Sequence, residues 1–242
     1  MLTLEGHRLA KRAALPEHLQ LGVTLPGMRE LLAQLPSDAV RQVNAKTPRW
    51  EGRRAGCWTW RGKPKFPKNK TLNGHVNQYF VTRWEEEDGN SVCERLRTRD
   101  SPHVGKATVF VSWFLDTPIA TLLDALSHFL KQQGLREEDT FFWVCDYVIR
   151  QTDVHADLEW LGDCVSAIGH TVLLMEEWHD PQPLKRAYCI KEVYHTQASG
   201  AAFDVVMSTE QQKAFERALV RGFASVMAGL SQVDVRQVRA WP

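Results

Sequence analysis

The chain of 242 residues has no run approaching the roughly 20 apolar residues that a helix needs to cross a bilayer. Its opening stretch, MLTLEGHRLAKRAALPEH, lacks the continuous apolar segment of a secretory signal and is rich in His and Glu for a transit peptide. A cytoplasmic location is therefore the expectation, with organellar import left open. Cysteine is sparse and irregularly spaced: Cys57, Cys93, Cys145, Cys164 and Cys189 form no CxxC pair. That pattern argues against a zinc ribbon, a thioredoxin-type site and a disulfide framework, and reads as reduced thiols. GxGxxG, the P-loop and the GxSxG elbow are all missing, which argues against a standard dinucleotide site, an ATP site and an α/β-hydrolase nucleophile.

Net charge is also close to absent, formally +1, but it is unevenly divided. Residues 1–105 carry 18 Lys and Arg against 11 Asp and Glu, whereas residues 106–242 carry 12 against 18. The two parts can attract each other, and the shift supports a boundary near residue 105. With 43% hydrophobic residues the chain is large and apolar enough to bury a core without metal or disulfide staples.

What is present differs on the two sides of that boundary. Up to residue 103 the pattern reads as an irregular basic extension. One short helix is expected around Met28, Leu31, Leu32 and Leu35, a second opens at Pro36-Ser37-Asp38, and HVNQYFVT (75–82) suits a strand or a helix equally. Residues 49–70 hold eight basic residues, four aromatics and one acid, with Gly and Pro enough to make a loop. Arg53, Arg54, Lys63 and Lys65 could neutralise phosphates or an acidic partner while Trp58 and Trp60 stack on bases. The plainer reading is a solvated loop whose tryptophans pack on the rest of the chain.

From residue 104 onward, strands and helices alternate. Short apolar runs at 107–112, 140–145, 171–175 and 203–207 read as buried parallel strands. Between them lie helical patterns. Thr117-Pro118 opens the first, with Ile119, Leu122, Leu123, Leu126, Phe129 and Leu130 as its core face and Gly134 as its end. Leu161, Cys164, Val165 and Ile168 mark the second, residues 185–197 the third, and Phe215, Leu219, Phe223 and Val226 the core face of a last long helix capped by Ser208-Thr209. Four such alternations imply an α/β, doubly wound, mainly parallel sheet of flavodoxin-like or Rossmann-like winding, whose function sits at the carboxyl ends of the strands.

Three stretches carry a resemblance: VGKATVFVSWFLDTPIATLLDALSHFL (104–130), IGHTVLLMEEWHDPQPLKRAYCIKEVYHT (168–196) and GAAFDVVMSTEQQKAFERAL (200–219), the last followed by VDVRQVRAW (233–241). They resemble a Toll/interleukin receptor (TIR)-like family of algal and protist proteins, over roughly residues 90–241. The resemblance implies a TIR-like domain at 104–242 acting in signalling or scaffolding, with protein partners or self-association. It also implies NAD as a substrate rather than a bound cofactor.

TIR domains carry an NAD-cleaving glutamate in a pattern like Trp-Cys-x-x-Glu. Here it reads Tyr188-Cys189-Ile190-Lys191-Glu192, so Glu192 is carried over as catalytic. A carboxylate can stabilise the oxocarbenium-like centre formed when the nicotinamide–ribose bond breaks. Tyr188, one turn earlier, could line the ribose or the base. Ser112, Trp113, Asp146 and Trp178, at or just beyond strand ends, complete the expected substrate-binding set. Each has a duller reading as a strand-end hydrogen bonder, a helix cap or a hydrophobic plug. Relatives read Phe-Val-Ser-His-Ala-Trp after the first strand where this chain has Phe110-Val111-Ser112-Trp113-Phe114-Leu115, which favours a non-catalytic assembly subunit as the alternative. His179, Cys189 and His195 could meet in space, but no pair has recognised zinc spacing, so no metal is expected.

Overall fold

The computed structural model describes residues 3–45 and 68–230. The basic aromatic segment, including Arg53, Arg54, Trp58, Trp60, Lys63 and Lys65, and the stretch 233–241 lie outside the described residues.

In chain order the helices are α1 (Leu4–Ala14), α2 (Leu25–Ala33), α3 (Ala39–Ala45), α4 (Gly74–Asp88), α5 (Val92–Thr98) and α6 (Ile119–Gln133). Beyond these come α7 (Cys145–Val148), α8 (Val154–Glu159), α9 (Leu161–Ile168), α10 (Ala187–Ala198), α11 (Thr209–Arg221) and α12 (Phe223–Leu230). The strands are β1 (Leu21–Val23), β2 (Val104–Lys106), β3 (Val109–Ser112), β4 (Phe142–Trp143), β5 (His170–Leu174) and β6 (Ala202–Val206). They form one mixed sheet in the order β2-β1-β4-β3-β5-β6. Strands β4, β3, β5 and β6 run parallel, while β1 is antiparallel to both β2 and β4. Helices α9 and α10 pack together, with α1 seated on α9; α6 lies against β6, α11 and α2.

The parallel strands form where short apolar, β-branched runs can be buried on both faces. Val109, Phe110, Val111, Val172, Leu173 and Leu174 are all buried. Phe110 stacks on Trp143 at 4.5 Å between ring centroids, joining β3 to β4. The second strand is shorter than its apolar run suggests: only Phe142 and Trp143 pair, and the chain turns into α7 at Cys145. The last helical pattern is split at Gly222, so the expected core face does not form as one stripe. Of its members only Val226 is buried; Leu219 and Phe223 are exposed, because a break between them removes the common helix face.

The chain before residue 104 is more ordered than its weak periodicity implies. Strand β1 inserts between β2 and β4, so the sheet draws on both sides of that position. Gly22 makes the insertion feasible, since a Cβ there would lie 3.0 Å from the Phe142 backbone. The ambiguous 75–82 stretch is helical. Asn73 caps α4 by accepting a hydrogen bond from the Val76 N–H at 3.1 Å, and Gly89 ends it in the left-handed region at φ 74°. This helix buries polar as well as apolar residues (His75, Asn77, Thr82 and Glu85 among them), which hides its period.

The opposite charges of the two parts meet directly. Lys11 pairs with Asp163 at 3.0 Å and Arg29 forks onto Glu137, while the His18 ring is hydrogen-bonded to Asp157 at 2.9 Å. Leu15, Leu19, Leu25 and Val81 belong to the same hydrophobic core as the parallel strands.

Candidate active site

The winding reverses direction between β3 and β5: β4 lies on one side of that pair and β6 on the other. In such sheets a crevice opens at the carboxyl ends of the strands where the order reverses. Ser112 is the last residue of β3 and is fully buried. Its hydroxyl donates a hydrogen bond of 2.5 Å to Oε2 of Glu192, which enters from α10.

Glu192 is buried, against the ordinary expectation that a glutamate on an amphipathic helix is solvated. Helical spacing explains its placement. Cys189, Glu192 and Thr196 fall on one face of α10, and all three are buried. Cys189 Sγ donates to the Trp113 carbonyl at 3.7 Å, and Thr196 Oγ1 bonds Thr171 Oγ1 of β5 at 2.9 Å. These two anchors press the carboxyl group between them toward Ser112. Burial pushes its pKa up to about 8, only partly opposed by the Ser112 bond. At neutral pH it is therefore mostly a neutral acid.

Above this carboxyl lies a cleft of about 350 Å³. The β3–α6 loop contributes Trp113, Phe114 and Leu115 to its wall, and α10 contributes Arg186, Tyr188, Cys189 and Glu192. Cys145, Ile149, Gln151, Val154 and Leu158 form the far side. The roof is α4, through His75, Gln78 and Thr82. Gly74 lets that helix sit close: a Cβ there would come within 2.8 Å of Leu115 and 2.9 Å of Trp113. His75 Nε2 lies 3.1 Å from Asp116 Oδ1 at the end of the β3 loop, and the Arg186 guanidinium sits 5.2 Å over the Phe114 ring.

Of the residues expected from sequence, Ser112, Trp113, Tyr188 and Glu192 come together around this cleft. Tyr188 is half-buried, at once a wall residue and a core-packing one. Asp146 is nearby but is not part of the cavity lining. It is fully buried at the carboxyl end of β4 and accepts 3.0 Å bonds from both Asn77 Nδ2 and Gln78 Nε2, with Cys145 Sγ at 3.5 Å. Burial raises its pKa to about 6, and those donors restrain the rise. Its observed contacts fasten α4 to the sheet. Trp178 is outside the cleft lining: it packs against Phe215 of α11 at 5.7 Å and against His179.

The roof residues His75 and Gln78, and Arg186 at the mouth, were not among the residues singled out by sequence. Nothing in a polar, aperiodic stretch marks it as the cover of a distant cleft. Glu176, two residues past β5, carries a further buried carboxyl whose oxygens have no hydrogen-bonding side chain or neighbour beyond its own backbone. Burial, then the charges of Glu177, Asp180 and Asp116, raise it to about 7. Among the described residues no group of three or more His, Cys, Asp and Glu is arranged to hold a metal ion, and no helix is long and apolar enough to cross a membrane. Scans against protein-family models, curated proteins and solved structures return no match.

Proposed function

We propose that this chain is a TIR-like module of flavodoxin-like winding whose cleft cleaves the nicotinamide–ribose bond of NAD, with Glu192 as the catalytic residue. The observation that carries this reading is a buried, donor-poor carboxyl group at the floor of an aromatic-walled cleft, at the carboxyl ends of β3 and β5. It is the residue that the Tyr-Cys-x-x-Glu resemblance selects.

The chemistry is simple to balance. The bond between the ribose C1′ and the pyridinium nitrogen breaks, and its electron pair leaves with nicotinamide, which departs neutral. Positive charge develops on the ribose ring, and water adds at C1′ and releases a proton. No proton has to reach the leaving group, so Glu192 is needed as a carboxylate. The positive charge of the substrate, and then of the oxocarbenium-like centre, favours that ionised form in a site where solvent does not. Tyr188 and Trp113 supply apolar walls that keep the charge interaction undiluted.

The test is nicotinamide release from NAD by the concentrated chain, because TIR catalysis often requires assembly, run beside Glu192→Gln and Glu192→Ala. Loss of release in both variants supports the reading. A folded wild type that releases none, even with crowding or a partner lysate supplied, turns it down.

A second reading, a non-catalytic assembly subunit, has its own support. Val220, Phe223 and Met227 are exposed at 89%, 65% and 49% on the consecutive helices α11 and α12, an apolar surface of the kind that protein contacts use.

A further inference from the structure

The walls of the cleft bear on what it can hold, apart from whether anything is cleaved there. The Glu192 carboxyl has one hydrogen-bond donor, Ser112, and no cation within bonding distance among the described residues. A carboxylate buried with one donor is costly to ionise, and the usual remedies are a paired cation or several N–H donors. Asp146, at the end of the neighbouring strand β4, has such donors from Asn77 and Gln78. Glu192 instead faces a cavity.

Around that cavity Trp113 and Tyr188 contribute aromatic side chains, and Phe114 a third whose ring already carries the Arg186 guanidinium at 5.2 Å. Aromatic faces carry negative potential, and walls of this kind hold flat or quaternary cations. The remaining charged or titratable groups are few. Cys189, on the same helix, and Cys145, the first residue of α7, are thiols whose pKa values burial pushes up, so they are neutral. His75 lies beside Asp116 in the roof, and Arg186 lies over Phe114. Tyr188 is half-buried in the wall.

We infer that the cleft is a receptor for a cationic aromatic ring, a pyridinium or similarly alkylated heterocycle, which binds by displacing the proton of Glu192, and that a neutral ring of the same shape is bound much less well. This deepens the proposed function, since it rests on the same cleft being the substrate site, but it requires no turnover. The ring nitrogen's fixed charge takes the place that the proton holds in the empty cleft. The proton leaves to solvent, so binding and proton release are one event. Charge selection follows, because a neutral ring offers nothing that would make the ionised carboxylate tolerable.

The experiment uses two probes of nearly equal shape: 1-methylnicotinamide, which carries a fixed positive charge, and nicotinamide, which is neutral. Binding to the full chain is measured by calorimetry from pH 6 to 9 in buffers of different ionisation enthalpy. The cation should bind at least about tenfold more tightly than the neutral ring at pH 8. Its affinity should climb by close to tenfold per pH unit at the acid end and level off above about 8, where Glu192 is already ionised. Close to one proton should be released per cation bound at pH 7, and nicotinamide should show no such linkage.

Glu192→Gln, which keeps the Ser112 hydrogen bond and the shape, should erase both the charge preference and the proton release. The pH series on the unaltered chain stands without any variant. Equal affinities for the two rings, a cation preference that survives in Glu192→Gln, a flat pH series, or no binding of either ring at millimolar concentration would each overturn the inference. A chain that binds the cation with proton release yet liberates no nicotinamide from NAD keeps this inference and loses the glycohydrolase reading. One that cleaves NAD through Glu192 but ignores ring charge does the reverse.

Discussion

Asp146 and Glu192 are both buried toward the carboxyl end of the sheet, and they differ in the number of donors each receives. Asp146 is fully buried and accepts bonds from the side-chain amides of Asn77 and Gln78 and from the neighbouring thiol, while Glu192 accepts one, from Ser112. Desolvation raises both, but the better-supplied one reaches only about 6 and the other about 8. A buried carboxylate with its lone pairs occupied is a structural tie. One left short of donors beside a cavity has an affinity for charge that its own protein does not satisfy, and that is the property a binding or catalytic site needs.

The contrast can be broken most severely by activity. Glu192→Gln should lower nicotinamide release by about a thousandfold or more, the order expected when a charge-stabilising group is lost, while Asp146→Asn should leave the chemical step within about tenfold if the chain stays folded. A reversal of that ranking, read by the same assay, would reassign the two roles.

Stability should respond in the opposite order. Asp146→Ala leaves the buried Asn77 amide and the half-buried Gln78 amide without their acceptor and should cost about 2 kcal/mol in denaturant unfolding, with α4 loosened first. Glu192→Gln should cost little at acid pH. Hydrogen exchange across Gly74–Asp88 would show whether Asp146 is what holds that helix on the cleft.

The pH dependence sharpens the same point. Between its ordinary value of 4.5 and about 8, Glu192 keeps its proton in the folded chain and loses it in the unfolded one. The folded state then binds the extra proton, so its stability falls as pH rises through that window and is level above it. Asp146 acts in the same direction over the narrower range from 3.8 to about 6. Glu192→Gln should therefore have a melting temperature near that of the wild type at pH 4.5 and a higher one at pH 9. A wild-type curve that is flat between pH 6 and 9 would mean that Glu192 is ionised at no cost.

The smallest effect should come from Ser112→Ala. Removing the single donor costs about 1 kcal/mol and raises the Glu192 pKa further, so the pH at which cation binding levels off should move upward. An unchanged profile would mean that the short Ser112 contact contributes nothing to the acidity.

Much of the parallel sheet was legible because buried parallel strands are written as continuous apolar runs. Val109–Ser112 and His170–Leu174 lie within or beside the runs singled out, and Glu192 was marked by its motif. The cover of the cleft was not legible. Helix α4 lacks an apolar stripe because it buries His75, Asn77 and Glu85 against polar partners rather than a greasy face, and strand β1 is only three residues long. Trp178 sits beyond a strand end, as expected for a cleft residue, yet packs on Phe215, since a large ring goes to whichever apolar surface its loop reaches.

The local alphabet of the chain, apolar runs, caps and helical spacing, is enough to set most of the strands and helices after residue 104 and the face of α10 on which Glu192 stands. That Ser112 meets a carboxyl 80 positions later, and that Asn77 and Gln78 meet another 69 and 68 positions later, is decided by how the sheet is wound and where α4 comes to rest. The acidity of both groups follows from that packing. Spacing along the chain carries no information about how much water a side chain loses, and it is the loss of water, set against the number of donors that replace it, that separates Asp146 from Glu192.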